Sequence, residues 1–323
     1  MRKRLEEKRN VERSSNGSGS AHGKSSSRRA WLGGCVAAVG AAAAGVRVHA
    51  EEGEDKGEKR ERYRAHRGRI RQSVVPWCFR PAWDLETLAR HAVALGIESV
   101  ELCSPEDWPI LKRYGLVCAI TSSHGFEKGL NHPENHPRCL QILRERIEAT
   151  AAAGFSRVIT FSGMRGELDD ETGIRNTVNG VKQVIGLAEE KKVDLCLEVL
   201  NTRDDSHPMK GHPGYQADKL EWAKEVCDRV GSERMKILFD IYHVQIMQGD
   251  VIRRIRELRD YIGHFHTAGV PGRGELDDTQ EINYPPILRA IAEIGYKGFV
   301  GQEFIPTRDP LDGLEEAVRI CDV

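Results

Sequence analysis

Short apolar segments alternate with longer amphipathic segments from about residue 72 to the end of the chain. Apolar stretches of strand length are typical of strands buried on both faces, and apolar residues at helical spacing are typical of helices packed on them. The pattern predicts eight strands, at 73–79, 99–103, 116–120, 157–163, 195–201, 237–240, 263–266 and 299–304. It predicts a helix after each strand, at 85–95, a short helix ending at 114, then 137–153, 172–191, 217–230, 251–261, 285–294 and 311–321.

The strict alternation of strand and helix indicates a parallel sheet with right-handed crossovers. Eight such units without a break favour a closed (β/α)8 TIM barrel over an open sheet. Residues 72–323 form the predicted catalytic domain. Their length fits the roughly 250 residues of a typical barrel of this kind.

Four of the apolar strands end in an ionisable residue. They are Glu198, Asp240, His266 and Glu303. A strand buried on both faces does not keep such a group unless it is paired or bound to a metal. One acid at a strand end is more often a helix cap or a salt-bridge partner. Because the carboxyl ends of barrel strands meet on one face, however, we expect the four side chains to surround one ion.

Two glutamates, one aspartate and one imidazole make an oxygen-rich site that suits Mn²⁺ or Mg²⁺. A divalent ion that chelates a hydroxyl and a neighbouring carbonyl acidifies the adjacent C–H and stabilises an enediolate. Glu198 and Glu303 are then the candidate acid/base pair, besides being metal ligands.

Several residues near the predicted strand ends are candidates for substrate binding. His243 lies three residues after Asp240, and Arg273 lies in the loop after the seventh strand, where its guanidinium is suited to a substrate carboxylate. His124 and His212 are loop histidines that we also assign to the substrate site. Glu101, on the second strand, is better explained by a salt bridge.

Charge and cysteine content argue against a nucleic-acid-binding protein, a cysteine zinc site and a disulfide-rich protein. The chain has 48 basic and 49 acidic residues, a net charge of −1, so nothing in its balance favours nucleic-acid binding. The expected partner is a small hydroxy-carbonyl or sugar substrate. The eight cysteines show no zinc-like spacing, and a disulfide framework is not expected in so long a chain. The sequence leaves a homo-oligomer open.

The first 71 residues have a different character. Residues 1–50 combine a basic segment that ends in Arg28-Arg29 with an uncharged Ala- and Gly-rich stretch, which predicts a twin-arginine export signal and leaves open whether it is cleaved after Ala50. The stretch is too weakly apolar for a stable membrane anchor. Residues 51–71 alternate acids and bases and predict a disordered, solvated linker. If the arginine pair is a coincidence, the protein is cytoplasmic.

Several motifs resemble the hydroxypyruvate isomerase family of the xylose isomerase-like TIM barrels. They are Glu198-Val199-Leu200-Asn201, Phe239-Asp240-Ile241-Tyr242-His243, the run from Gly263 to Arg273, Glu281-Ile282-Asn283-Tyr284 and Gly301-Gln302-Glu303-Phe304. The resemblance covers about 72 to 323 and implies the same four metal ligands, with Glu198 and Glu303 as acid and base. It also implies conversion of hydroxypyruvate to tartronate semialdehyde through an enediol.

Other functions stay open. His266 is similar to the corresponding residue of the ketose 3-epimerases in the same superfamily, so a ketose 3-epimerase or another sugar isomerase is an alternative. A phosphodiesterase of the apurinic-endonuclease kind would need a multi-metal cluster and a basic surface. A non-catalytic sugar-binding barrel would not need both Glu198 and Glu303.

Overall fold

The computed structural model describes residues 61–323. The predicted export segment and residues 51–60 of the predicted linker lie outside this range, so those assignments stay predictions. The strands are β1 Arg71–Val74, β2 Ser99–Val100, β3 Arg157–Thr160, β4 Asp194–Glu198, β5 Met235–Asp240, β6 Ile262–Thr267 and β7 Phe299–Gln302.

Helices follow the strands, as the sequence predicts. They are α1 Pro76–Phe79, α2 Leu85–Leu95, α3 Trp108–Arg113, α4 His136–Ala152, α5 Asp170–Val181, α6 Ile185–Lys191, α7 Leu220–Val230, α8 Ile241–Met247, α9 Val251–Glu257, α10 Tyr284–Glu293 and α11 Pro310–Cys321. The single helix predicted over 172–191 is two helices, and α8 was not predicted. Within the described residues, no helix is both long and apolar enough to cross a bilayer.

All strand pairs are parallel, in the order β2-β1-β7-β6-β5-β4-β3. Residues 117–121 lie between the two ends of this sheet. Val100 N donates to Val117 O at 3.1 Å, and Thr121 N donates to Arg157 O at 3.0 Å. This segment therefore joins β2 to β3, and the predicted TIM barrel is confirmed.

The segment predicted as the third strand differs from a regular strand because it makes only isolated bridges. The amide of Ala119 donates to the Ser99 hydroxyl at 2.9 Å, where a regular ladder would offer a main-chain carbonyl. The Ser99 side chain thus replaces a main-chain acceptor at one position of the sheet. The segment changes its hydrogen-bonding partner from β2 to β3 within a few residues.

The first strand is shorter than predicted. It ends at Val74, and Pro76 begins α1, so the prediction of a strand to residue 79 was wrong. Proline has no N–H to donate to a sheet, but it fits the first position of a helix, where that donor would have no partner. The turn brings Trp77 to the carboxyl end of the barrel.

Residues 61–70 are mostly exposed, but they are hydrogen-bonded to the folded domain, which corrects the prediction of a disordered linker for this part of 51–71. The backbone amides of His66 and Arg67 donate to the Asp322 carboxylate at 2.9 and 3.0 Å, and the Tyr63 hydroxyl donates to it at 2.7 Å. Ile70 is buried. The folded domain therefore begins before Gln72, because this segment supplies donors for a buried acid that follows α11.

Candidate active site

The four predicted ligands meet at the carboxyl end of the barrel. Glu198 and Asp240 are the last residues of β4 and β5, His266 lies near the end of β6, and Glu303 directly follows β7. One ligand atom from each lies within 4.8 Å of the others, and all four residues are buried. The convergence expected from parallel strand ends is therefore present.

His266 lies between two sets of carboxylates. Its Nδ1 is 2.8 Å from Glu303 Oε2 and 3.4 Å from Glu198 Oε1, and its Nε2 is 2.8 Å from Glu101 Oε1. Burial alone lowers the pKa of His266. The surrounding acids, Glu303 first, outweigh burial and raise that pKa well above its ordinary value.

Arg273 contacts two of the four predicted ligands. Its Nη2 donates to Glu303 Oε2 at 2.6 Å and to Asp240 Oδ2 at 3.3 Å, and its Nη1 donates to Met209 O at 2.6 Å. The guanidinium also lies 5.2 Å from the centre of the Trp77 ring. Arg273 is thus held in the site by acids, a carbonyl and an aromatic face, all from this chain.

The pKa values of the two candidate acid/base residues, Glu303 and Glu198, are shifted in opposite directions. Burial raises the pKa of Glu303, but Arg273 and His266 outweigh it and hold that pKa well below its ordinary range. Burial also raises the pKa of Glu198, here with only partial opposition from His266. Acid and base roles are commonly divided between two carboxyls whose surroundings push their pKa values apart.

Asp240 also serves the local fold. Its Oδ1 accepts a hydrogen bond from Tyr242 N at 2.9 Å and so caps α8. Its Oδ2 faces Arg273 and lies 3.4 Å from His243 Nε2. Burial, partly offset by Arg273, raises the pKa of Asp240 to about 7. The cap and the candidate ligand are therefore two oxygens of one carboxylate.

His243 has a defined tautomer. Its Nδ1 accepts hydrogen bonds from the backbone amide of Asn201 at 3.1 Å and from the Asn201 side-chain amide at 2.7 Å. The proton of the neutral ring is therefore on Nε2, which faces Asp240. Burial lowers the pKa of His243 well below its ordinary value, so the ring is neutral near pH 7. The role of Asn201 was missed from the sequence.

The two loop histidines lie in different places. His212 lines the cavity beside the acids, with its ring 4.3 Å from that of Phe126. His124 is not among the residues that line this cavity, and its Nε2 is 3.0 Å from the Thr160 hydroxyl. Burial lowers the pKa of each to about 4, so neither carries a charge near pH 7.

The cavity above the acids measures about 190 Å³. Glu198, Glu303 and Arg273 form its polar wall. The opposite wall is largely apolar and includes Phe126 and Phe161, with Trp77 also lining the space. Trp77 Nε1 donates to Glu303 Oε1 at 3.0 Å, so this tryptophan also orients a candidate catalytic acid.

The donor set fits a divalent cation. Glu198 Oε1 and His266 Nδ1 are buried, yet neither makes a hydrogen bond of acceptable geometry. A buried polar atom without a partner is costly, and both atoms face the four-residue cluster. Three carboxylates and one imidazole suit Mg²⁺ or Mn²⁺. Glu198, Asp240, His266 and Glu303 are therefore the residues that would hold the ion.

Comparisons with known proteins identify the family to which the barrel is similar. A family model described as xylose isomerase-like TIM barrel matches residues 89–322. Hydroxypyruvate isomerase of Escherichia coli K12 is 37% identical over 242 residues, which cover 74% of this chain and 85% of that protein. 2-Oxo-tetronate isomerase of Cupriavidus necator is 31% identical over 169 residues, 52% of this chain and 62% of that protein.

One solved structure illustrates the shared fold. The 3-keto-D-glucoside 4-epimerase of Escherichia coli aligns over 78% of this chain and 99% of its own, with a TM-score of 0.64. The two sequences are 16% identical, so this likeness concerns the barrel and not the chemistry.

Proposed function

The chain belongs to the xylose isomerase-like TIM barrel family and is an isomerase, and we propose that it acts with a divalent metal ion on a small hydroxy-carbonyl substrate. The observation that carries this proposal is the meeting of Glu198, Asp240, His266 and Glu303 within 4.8 Å. The relatives named hydroxypyruvate isomerase and 2-oxo-tetronate isomerase support a substrate of this class.

A bound divalent ion would polarise the substrate carbonyl and so acidify the neighbouring C–H. The side chains of this protein supply the proton transfers. Glu303, kept ionised by Arg273, accepts the proton from the carbon and leaves an enediolate of the substrate. Glu198, whose pKa burial raises, is suited to return a proton at the adjacent carbon, while the remaining hydroxyl proton passes to the neighbouring enediolate oxygen and leaves the new carbonyl. Arg273 keeps Glu303 oriented during both transfers.

The cavity limits the substrate to a small molecule. Hydroxypyruvate is the first candidate substrate, because the E. coli relative is named hydroxypyruvate isomerase and is similar over most of both chains.

A ketose is the second candidate substrate, and the enzyme would then be a ketose 3-epimerase. Arg273 is the one lysine or arginine among the residues lining this cavity, and it already contacts two carboxylates. The aromatic wall and this engaged arginine favour an uncharged sugar.

Hydrogen exchange with solvent tests the proposal. Purified protein supplied with Mn²⁺ is incubated in D₂O with hydroxypyruvate and, separately, with a panel of free ketoses. We expect deuterium on the carbon beside the carbonyl, detected by proton NMR, and none after the metal is removed with a chelator. Absence of exchange and of turnover across the panel would contradict an isomerase with this mechanism.

A further inference from the structure

Glu101 is a second buried acid close to the site. It directly follows β2 and is fully buried inside the barrel. Its two oxygens face the Nε2 atoms of two histidines on β6, with His266 at 2.8 Å and His264 at 3.0 Å. A carboxylate flanked by two imidazole nitrogens has no hydrogen to donate, so Glu101 accepts from these rings.

This contact decides which nitrogen of His266 is free. An imidazole that ligates a metal ion keeps one N–H and uses the lone pair of its other nitrogen. Because the Glu101 carboxylate only accepts, the N–H that stays is on Nε2, and the nitrogen left for the ion is Nδ1. Nδ1 is the atom that faces Glu198 and Glu303, at 3.4 and 2.8 Å.

We infer that Glu101 is a positioning residue that fixes the tautomer and ring direction of His266, so that Nδ1 faces the four-residue metal site. This inference rests on the proposed metal binding. Carboxylates that accept from the distal nitrogen of a ligating histidine commonly control metal affinity in this way. His264 Nε2 is hydrogen-bonded to the same oxygen, Oε1, at 3.1 Å and lies 3.0 Å from Oε2, so it also restrains the Glu101 carboxylate.

The neighbouring strand leaves room for this arrangement. A Cβ at Gly301 of β7 would lie 2.1 Å from Glu101 Oε1 and 2.9 Å from His266 Cδ2. A Cβ essentially never comes that close to a non-bonded atom, so any side chain here would displace the acid, the ring, or both. Gly301 therefore preserves the contact between Glu101 and His266.

The unaltered protein gives the first test. Protein labelled with ¹⁵N-histidine is titrated with Zn²⁺, a diamagnetic probe, and its ring nitrogens are assigned by two-dimensional NMR. We expect the His266 signal to show a protonated Nε2 and a metal-bound Nδ1. A metal-bound Nε2 would overturn the inference, and this result does not depend on how any variant folds.

Metal affinity gives the second test. Glu101→Gln keeps the size of the side chain but removes its charge and one acceptor. We expect the dissociation constant for Mn²⁺, measured by calorimetry, to rise about 10- to 100-fold. We also expect the Nε2 signal of His266 in the Zn²⁺-bound variant to shift, because its hydrogen-bond acceptor has lost its charge. The matched control is Asp322→Asn, which alters a buried acid that contacts residues 63–67 instead of the site.

The outcomes separate this inference from the proposed function. Unchanged Mn²⁺ affinity and an unchanged His266 Nε2 signal in Glu101→Gln would overturn the inference alone. A protein that binds Mn²⁺ as described but exchanges no substrate hydrogen would contradict the proposed isomerisation and leave the positioning role standing. A wild-type protein that binds neither Mn²⁺ nor Zn²⁺ would overturn both.

Discussion

Glu303→Gln is expected to lower kcat about 10²- to 10⁴-fold, the usual contribution of a positioned acid or base. Glutamine keeps the size of the side chain, and its one amide oxygen can still accept from Trp77 or from Arg273, but it cannot accept the substrate proton at neutral pH. Steady-state kinetics on the substrate identified by the exchange experiment measure the effect.

Asp322→Asn serves again as the control, because it removes a buried carboxylate without touching the site. The control is expected to retain kcat within about twofold, since only groups that act in the transition state should change it. Circular dichroism and thermal unfolding check whether Glu303→Gln and Asp322→Asn fold. A Glu303→Gln enzyme with unchanged kcat would remove Glu303 from the proton transfers.

Arg273→Met is expected to lower the free energy of unfolding of the metal-free protein by about 3–5 kcal/mol at pH 7, as when one partner of a buried ion pair is removed. Asp240 and Glu303 would lose their shared cation, and both lie in a buried environment. Urea denaturation of the wild type and of Arg273→Met gives the difference in the free energy of unfolding. Saturating Mn²⁺ should reduce this difference, because the ion replaces part of the missing positive charge.

The pH dependence follows from the lowered pKa of Glu303. A group whose folded-state pKa is depressed contributes stability above its unfolded pKa, about 4.3 for glutamate, and loses it as the pH falls through the folded pKa. Removing Arg273 raises the folded pKa, so this contribution is diminished at pH 7. The free energies of unfolding of the wild type and Arg273→Met should therefore differ most at pH 7 and progressively less below about pH 4.

Arg253→Met is the matched control, since Arg253 forms exposed ion pairs with Asp250 and Glu257. Exposed pairs contribute about 0–1 kcal/mol. Equal losses in Arg273→Met and Arg253→Met, or a loss that does not vary with pH, would show that Arg273 does not stabilise the acids as described.

The sequence predicts the barrel because its apolar segments repeat with regular spacing, and this repetition also places the four candidate ligands. Glu198, Asp240, His266 and Glu303 each lie at or next to the carboxyl end of a strand, so the geometry of parallel strands brings them together. Periodicity and strand direction are local properties of a chain, and this explains why they could be read without a structure.

Other features depend on partners far away in the sequence. The irregular third segment results from the Ser99 hydroxyl taking the amide of Ala119. Residues 61–70 look like a solvated linker until Asp322 supplies acceptors for their amides. The short first strand is different, because Pro76 is a local signal that was passed over.

The role of Glu101 in the site also depends on residues far away in the sequence. Its position at the end of β2 matches that of the predicted ligands, and a salt bridge was the preferred interpretation. The partners are His264 and His266, more than 160 positions away, and no spacing rule identifies them. Arg273 was assigned to the substrate, yet its contacts to Asp240 and Glu303 became visible only with side-chain positions.

The metal content of the reconstituted protein tests the central claim most directly. Purified protein is stripped with a chelator, loaded with Mn²⁺, desalted and analysed by mass spectrometry for metal per chain, in parallel with Asp240→Asn. The four-residue site predicts one Mn²⁺ per chain in the wild type and substantially less in the variant. No bound Mn²⁺, or two or more ions that Asp240→Asn does not affect, would contradict it.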